Sequence, residues 1–333
     1  MKTPFNVLRH VNQWEMAPRD PATIGAAIIN ALGGSAAFAA TTIAFNVTVA
    51  GVVGYLATTA ITSWALNALA PDIGGIGGSR GLMVNATDPA APHDIVYGAV
   101  RKGGIRTYVE ATGTENKFLH MILVLAGHEL EAIDDIYLND EVVTVNATSG
   151  FVTSGDWNSK VRIKKHRGNQ TAADSLLLSE SNQITANFVG NGIAYLYIRL
   201  EYDQDAFANG VPLITAKVRG RKVYDPRTTS TAYTANAALV VRDYITAGFG
   251  LADSAVDDLA FAASANVSDE AIAFDGGGTE PRYEINGVVS SDMSPRTIVS
   301  RMMSSCGGTL FWGQGKFQLH VGYYSNPVKT FTL

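Results

Sequence analysis

PHDIVYGAVRKGGIRTYVEATG (residues 92–113) and FLHMILVLAGHELEAIDDIYLNDEVV (residues 118–143) decide the fold of this chain. Two apolar runs, 95–100 and 118–126, are flanked by polar, glycine-rich turns. A third, 133–143, bends at the turn-forming pair Asn139-Asp140. Runs of this length bounded by Gly and Asn/Asp read as consecutive strands of one antiparallel sheet. Residues 105–110 extend the first hairpin across Gly103-Gly104, a favoured two-residue connection.

The same alternation continues downstream. VRIKK (161–165) places Val161 and Ile163 on one face and Arg162 and Lys164 on the other. Residues 193–200 and 214–218 repeat it with β-branched and aromatic residues, which suit a half-buried pleated surface. Polar insertions at 146–158 and 168–191 interrupt them, the second with a short helical stretch near 172–179. PLITAKVRGRKVYDPR (212–227) reads as a strand, a turn at Gly220, a short strand and a stop at Asp225-Pro226. Proline cannot donate to a ladder and so ends the strand.

Helical spacing then takes over. NAALVVRDYITA (236–247) sets Leu239, Val240, Tyr244 and Ile245 on one face, with Gly248 and Gly250 as stops. A second helix is expected over 253–265, capped by Asp253. RYEINGVV (282–289) reads as a strand. A third helix starts at Ser294-Pro295, with Ile298, Met302 and Met303 inward. Residues 310–312 and 316–321 form a hairpin about Gly313-Gln314-Gly315. The fold class is α+β, β-dominated. The organisation is 1–80 as an apolar helical region with a Gly-rich linker, 81–228 as a β-rich domain with an insertion at 146–191, and 229–333 as a second domain of helices and strands.

The chain has 333 residues, 17% of them charged, with net charge −5 and a pI near 5.7. No basic stripe of the kind that marks nucleic-acid binding is present. From residue 21 to 71 there is no charge at all. Two helices of about 20 residues fit that run, breaking at Gly33-Gly34 or near Asn46. Ile28, Ile29, Phe38, Phe45, Val52, Val53, Leu56, Trp64 and Leu66 are its bulky apolar residues. Glu15 and Asp20 precede it, which disfavours a signal peptide. Ala, Gly and Thr insert weakly into bilayers. The favoured reading is a buried helical hairpin lining or plugging the lumen of an assembly, with insertion into a host membrane as the alternative. The linker 73–81 has neither Gly-x-Gly-x-x-Gly nor Gly-Lys-Ser/Thr, so nucleotide binding is not expected.

Candidate chemistry is sparse. Cys306, the one cysteine, falls at the end of an amphipathic helix and reads as a core thiol. His128-Glu129 lacks the second histidine of a zinc-protease helix, since position 132 is Ala. Asp134-Asp135 and Asn139-Asp140-Glu141 lack the alternating Asp-x-Asp-x-Asp-Gly pattern of a calcium loop. Lys164-Lys165-His166-Arg167 reads as a solvated strand edge that discourages pairing. No catalytic, cofactor or metal site is expected, and a cell-wall hydrolase ranks as a distant alternative.

Four of these phrases, in this order, resemble the tip attachment or central hub proteins of siphovirus (long-tailed) bacteriophage tails. They are residues 92–143; 212–227 with its ending Gly220-Arg-Lys-Val-Tyr-Asp-Pro-Arg227; 238–245; and 283–323, with Tyr283 to Val289, Ser294 to Gly307 and Gly315 to Tyr323. The likeness spans roughly 92–327, and residues 1–80 match no phrase of the family. Tyr97, Gly98, Asp134, Tyr137, Gly220, Tyr224, Asp225, Pro226, Arg227, Asn286 and Gly287 are its structural motif positions. The resemblance implies β-barrel-like hub domains in a homotrimeric ring at the distal tail tip. Such a ring closes the tail tube, contacts the distal tail protein, tape-measure protein and tail fibre proteins, and opens for genome ejection, letting DNA pass. It also implies a structural protein and no enzyme. Family members continue into further hub domains and a fibre that carries receptor contact, so this chain is expected to be a short member or to lack a distal part.

Overall fold

The computed structural model describes residue 85, residues 92–273 and residues 275–324. The apolar hairpin expected within 1–80, with its candidate residues Ile28 to Leu66, lies outside the described residues. The opening run is not one strand. β1 (Asp94–Tyr97) and β2 (Ala99–Lys102) are separated by Gly98 at φ +62°, and they join different sheets. β3 (Ile105–Thr112) does not continue a hairpin with β2 either. Gly104 passes so close to the next strand that a Cβ there would lie 2.6 Å from the Val124 carbonyl oxygen. The two glycines therefore carry the chain over to a second sheet.

β4 (Phe118–Ala126), β5 (Ala132–Leu138) and β6 (Glu141–Val143) follow, the last two joined at Asn139 and Asp140, both with positive φ. β7 (Val161–His166), the short helix α1 (Ser175–Glu180), β8 (Ala194–Glu201) and β9 (Ile214–Arg219) complete the first half. The three opening runs thus divide among sheets. β3-β4-β8-β7 is one antiparallel four-stranded sheet and β2-β9-β5-β6 another, while β1 pairs elsewhere. Alternate residues of both sheets build one apolar core, from Leu119, Met121 and Leu123 on β4 to Ile136, Ala216 and Val218 on β5 and β9. The α+β, β-dominated class holds. Its barrel-like half consists of two open sheets sharing a core, with no closed barrel among the described residues.

Lys164 to Arg167 do lie at a sheet edge, yet they are engaged: Lys165 Nζ donates to the Ile133 carbonyl at 2.9 Å and Arg167 Nη1 to that of Glu131 at 2.7 Å. Arg162, expected on the polar face, is buried, because the 168–191 insertion covers that face.

The second half begins with the hairpin β10 (Lys222–Asp225) and β11 (Ser230–Tyr233). Helix α2 (Ala237–Asp243) is wholly buried, and the Asn236 side chain caps it by accepting from Ala238 and Leu239 N–H. It runs on into a single wider turn, Tyr244–Gly248. The second helix starts later than expected. Asp253 sits in an isolated 3-10 turn, and Asp257 caps α3 (Asp258–Ser268). The reason is a backbone bond from Asp257 N–H to the Phe317 carbonyl at 2.9 Å, which holds 256–257 extended against the C-terminal hairpin.

β12 (Ala271–Ala273) and β13 (Thr279–Pro281) form a small hairpin. β14 (Gly287–Ser290) is shorter than the expected strand and pairs with β1. Helix α4 (Pro295–Cys306) has the expected Ser294 cap and Pro at its first turn, and ends at Gly307 in the left-handed conformation. β15 (Thr309–Gly313) and β16 (Lys316–His320) close on Gln314-Gly315. α2, α3, α4 and β16 pack a second core, which Tyr97 enters from the first half. Cys306 is buried in it, and burial pushes its thiol pKa up. No helix among the described residues is long and apolar enough to cross a membrane.

Candidate functional site: the joint between the two cores

Alternation along β1 sends Val96 into the sheet core and Ile95 and Tyr97 to the helical core, where Tyr97 is fully buried. Its hydroxyl donates to Asp243 Oδ2 at 2.7 Å, and Arg221 Nε lies 3.2 Å from the same oxygen. Burial pushes the Asp243 pKa up, against the pull of Arg221, the Tyr97 hydroxyl and Arg242. Burial, and then the Asp243 charge, push the Tyr97 phenol pKa up as well. A buried polar group left without its partner is costly, so the three residues hold one another in place.

Around this trio the backbone closes tightly. Gly220 N–H donates to the Gly98 carbonyl at 2.7 Å, and Arg221 N–H to that of Val96 at 3.0 Å. A Cβ on Gly220 would fall 2.2 Å from the Val96 carbonyl oxygen, and one on Gly98 2.1 Å from Asn286 Oδ1. That Asn286 oxygen accepts from Ala99 N–H at 2.8 Å, and Gly287 pairs with Tyr97 across β1 and β14. On the sheet side, His128 Nε2 accepts from Val96 N–H at 2.9 Å while Nδ1 faces the Glu129 carbonyl at 2.8 Å. Burial lowers its pKa to about 4, so the ring is neutral and carries its proton on Nδ1.

Next to the trio, Arg242 stacks on Tyr224, its guanidinium carbon 4.8 Å from the ring centroid, and reaches Asp258 at 2.8 Å and Asp253 at 3.3 Å. These residues line an open cleft of about 470 Å³. Beyond it, Asp225 and Arg227 form a two-pronged pair at 2.8 and 3.0 Å, and Arg227 also reaches Asp269 at 2.8 Å. Hydrogen bonds from Arg227 hold the Asp225 carboxyl below its usual pKa, and Pro226 occupies the turn between them. The β10–β11 hairpin is thereby tied to α3.

The structure thus brings together Tyr97, Gly98, Gly220, Tyr224, Asn286 and Gly287, positions from separate sequence phrases. Asp134 reaches the margin, paired with Arg219 at 3.1 Å. Tyr137 stands apart on β5, with Arg101 stacked 3.8 Å from its ring centroid. Sequence reasoning missed Asp243 and Arg242; His128 it named only as half of a failed zinc pair. A signal for Asp243 exists: it lies four residues after Leu239 and three after Val240, and so shares the buried face of the helix. A charge on an apolar helical face needs a partner. Among the described residues no group of three His, Cys, Asp or Glu side chains is placed to hold a metal ion.

Neither protein-family models nor curated proteins yield a match. Among solved structures, a chain from the virion of a native gene transfer agent particle is similar at 15% identity with a TM-score of 0.45. The match covers 93% of this chain and 66% of that one, so this chain spans just under two thirds of its length.

Proposed function

We propose that this protein is a structural hub of a bacteriophage tail tip, a homotrimer whose β-rich halves form a ring closing the distal tail tube. It would meet the distal tail protein above, the tape-measure protein within and the fibre proteins below, and open to let DNA pass. Receptor contact would fall to distal regions. In this reading the chain is a mechanical part and not an enzyme.

The observation that carries the reading is the ordered set of four sequence phrases, of whose signature residues Tyr97, Gly98, Gly220, Tyr224, Asn286 and Gly287 meet at one joint. Close backbone approaches at Gly98 and Gly220, locked by the buried Tyr97–Asp243–Arg221 group, fix the angle between a sheet core and a helical core. A ring segment that bears load while a tube is closed needs such a fixed angle. Electron microscopy of intact particles labelled with an antibody against this chain tests it: label at the distal tail tip supports the hub, and label elsewhere overturns it. Mass photometry of the purified chain adds the expected trimer mass.

A second reading rests on the charge-free run 21–71. Residues 22–70 would insert into a host membrane at infection and deliver the genome. A peptide of that span would then float with liposomes and release an entrapped dye.

A further inference from the structure

We propose that residues 169–191 form a hinged flap, closed over the outer face of the β3-β4-β8-β7 sheet at neutral pH and released by acid. The face beneath it carries a row of polar side chains in register across four strands: Glu110, His120, Arg199 and Arg162. All but Arg199 are buried. The last residue of α1, Glu180, drops onto this row. Arg162 grips its carboxylate with both terminal guanidinium nitrogens, Arg199 Nη1 approaches at 3.4 Å and the Tyr197 hydroxyl donates at 2.9 Å. At the other end of α1, Asp174 accepts from Leu176 and Leu177 N–H and faces His166 Nε2 at 3.0 Å. Glu110 accepts from Asn182 N–H at 3.1 Å and from the Tyr108 hydroxyl, which also meets Ser181 Oγ at 2.7 Å. Between these pins one side chain of the flap, Leu177, is fully buried against Ile122, Tyr195 and Tyr197.

The neck is built to pivot. Gly192 N–H donates to the Gly168 carbonyl at 2.8 Å, and Gln170 Nε2 to that of Ile193 at 2.9 Å, so the two ends stay joined. Gly168, Gly190 and Gly192 have φ of +103°, +66° and +75°, a region that glycine adopts without strain, and Gly192 has open space around it. The flap is thus a loop with closed ends, held down by these charged pins and by Leu176, Leu177, Ile184 and Phe188 against the sheet.

Acid weakens three of the groups that hold the flap: Glu180, Asp174 and His120. Burial raises the Glu180 and Asp174 carboxyl pKa values, but donors led by Arg162 for Glu180 and His166 for Asp174 outweigh it and hold both below the usual range. Their contribution to closure is complete above the ordinary carboxylate values near 4 and is lost as pH falls through them. His120, between Thr112 Oγ1 at 2.7 Å and the Tyr197 hydroxyl at 2.9 Å, is pushed down to about 4 by burial. Arg199 and Arg162 lower it further, while Glu180 and Glu110 raise it. Between about pH 6.5 and 4 the closed form therefore resists a proton that the open form accepts.

Hydrogen-exchange mass spectrometry of the full chain at about pH 7 and about pH 3.5, with times scaled for intrinsic exchange, tests this. Peptides from 169–191 should lose protection by about 10- to 100-fold at the lower pH while β4 and β8 keep theirs. Glu180→Gln should reproduce the loss near neutrality. Leu177→Ala should loosen the flap at both pH values and leave their ratio unchanged. Loss of protection in flap and strands together, a flap unmoved by acid, or a pH ratio abolished by Leu177→Ala would each overturn the proposal.

Discussion

Tyr97→Phe isolates what the buried hydroxyl contributes to the joint. The ring stays, so the apolar contacts with the helical core are kept, and the hydroxyl alone is lost. That oxygen makes a 2.7 Å hydrogen bond to a carboxylate that is itself buried. A hydrogen bond to a charged partner contributes about 1.5–3 kcal/mol, and among the described residues Arg221 is the close donor that Asp243 keeps. For a domain of this size each kcal/mol moves the melting temperature by about 2–4 °C, so a drop of about 3–12 °C is expected. Differential scanning calorimetry reads it, and a double-mutant cycle with Asp243→Asn separates the bond from its surroundings. Asn still offers an oxygen to the hydroxyl but carries no charge. The two changes should therefore couple by about 1 kcal/mol. A Tyr97→Phe melt within about 1 °C of wild type, or strict additivity in the cycle, would refute the assignment of the joint's rigidity to this bond.

Three further outcomes follow from neighbouring residues. Gly220→Ala drives a Cβ to 2.2 Å from the Val96 carbonyl oxygen and 2.9 Å from Tyr97 Cα, backbone that cannot swing aside; a loss of about 3 kcal/mol or more is expected, seen as poor soluble yield and early melting. His128 should stay neutral as the Nδ1–H tautomer down to about pH 4, which nitrogen-15 shifts of the ring report directly. Because its folded pKa lies below the ordinary 6.5, it favours folding fully above 6.5, and that contribution fades as pH falls towards 4. Asp225→Asn should cost about 1–2 kcal/mol by breaking the fork with Arg227. The effect should vanish in acid, since the wild-type carboxylate favours folding above about pH 4 and loses that advantage as pH falls below it.

The strands were legible because alternation and turn chemistry agree locally. β4 falls on the expected residues, and Asn139-Asp140 turns the β5–β6 hairpin. Ser294-Pro295 announced α4 for the same reason. Strand partners were not legible. Nothing in 95–105 distinguishes a hairpin from a change of sheet; only the approach of Gly104 to Val124 decides it. Asp253 and Asp257 are equally good caps in isolation, and a bond to Phe317, far along the chain, selects the second. Arg162 looked like a surface residue because alternation reports the core face of a sheet and is blind to what covers the other. At the joint the glycines and Tyr97 were visible as motif positions, whereas the partner of Tyr97 depended on how α2 rotates.

Asp243 at the joint and the flap answer acid with opposite sign. Asp243 has its pKa raised by burial, so protonation relieves a charge that the site holds at a cost. Its contribution to folding is greatest below the ordinary carboxylate value and declines as pH rises through the raised one. Glu180, Asp174 and His120 all lose closure energy as pH falls. Near pH 5 His128 is still neutral in the folded chain and Asp225, held below its usual range, is still charged; the proton that His128 refuses costs the joint some stability there, and Asp243 offsets it. Mild acid therefore frees the outer face of one sheet while the angle between sheet core and helical core is kept. Exchange protection of α2 at about pH 5 should equal or exceed its neutral value once intrinsic rates are scaled, in the same sample whose 169–191 peptides have begun to open. Earlier loss in α2 than in the flap would show that the joint, and not the flap, is where acid enters this fold.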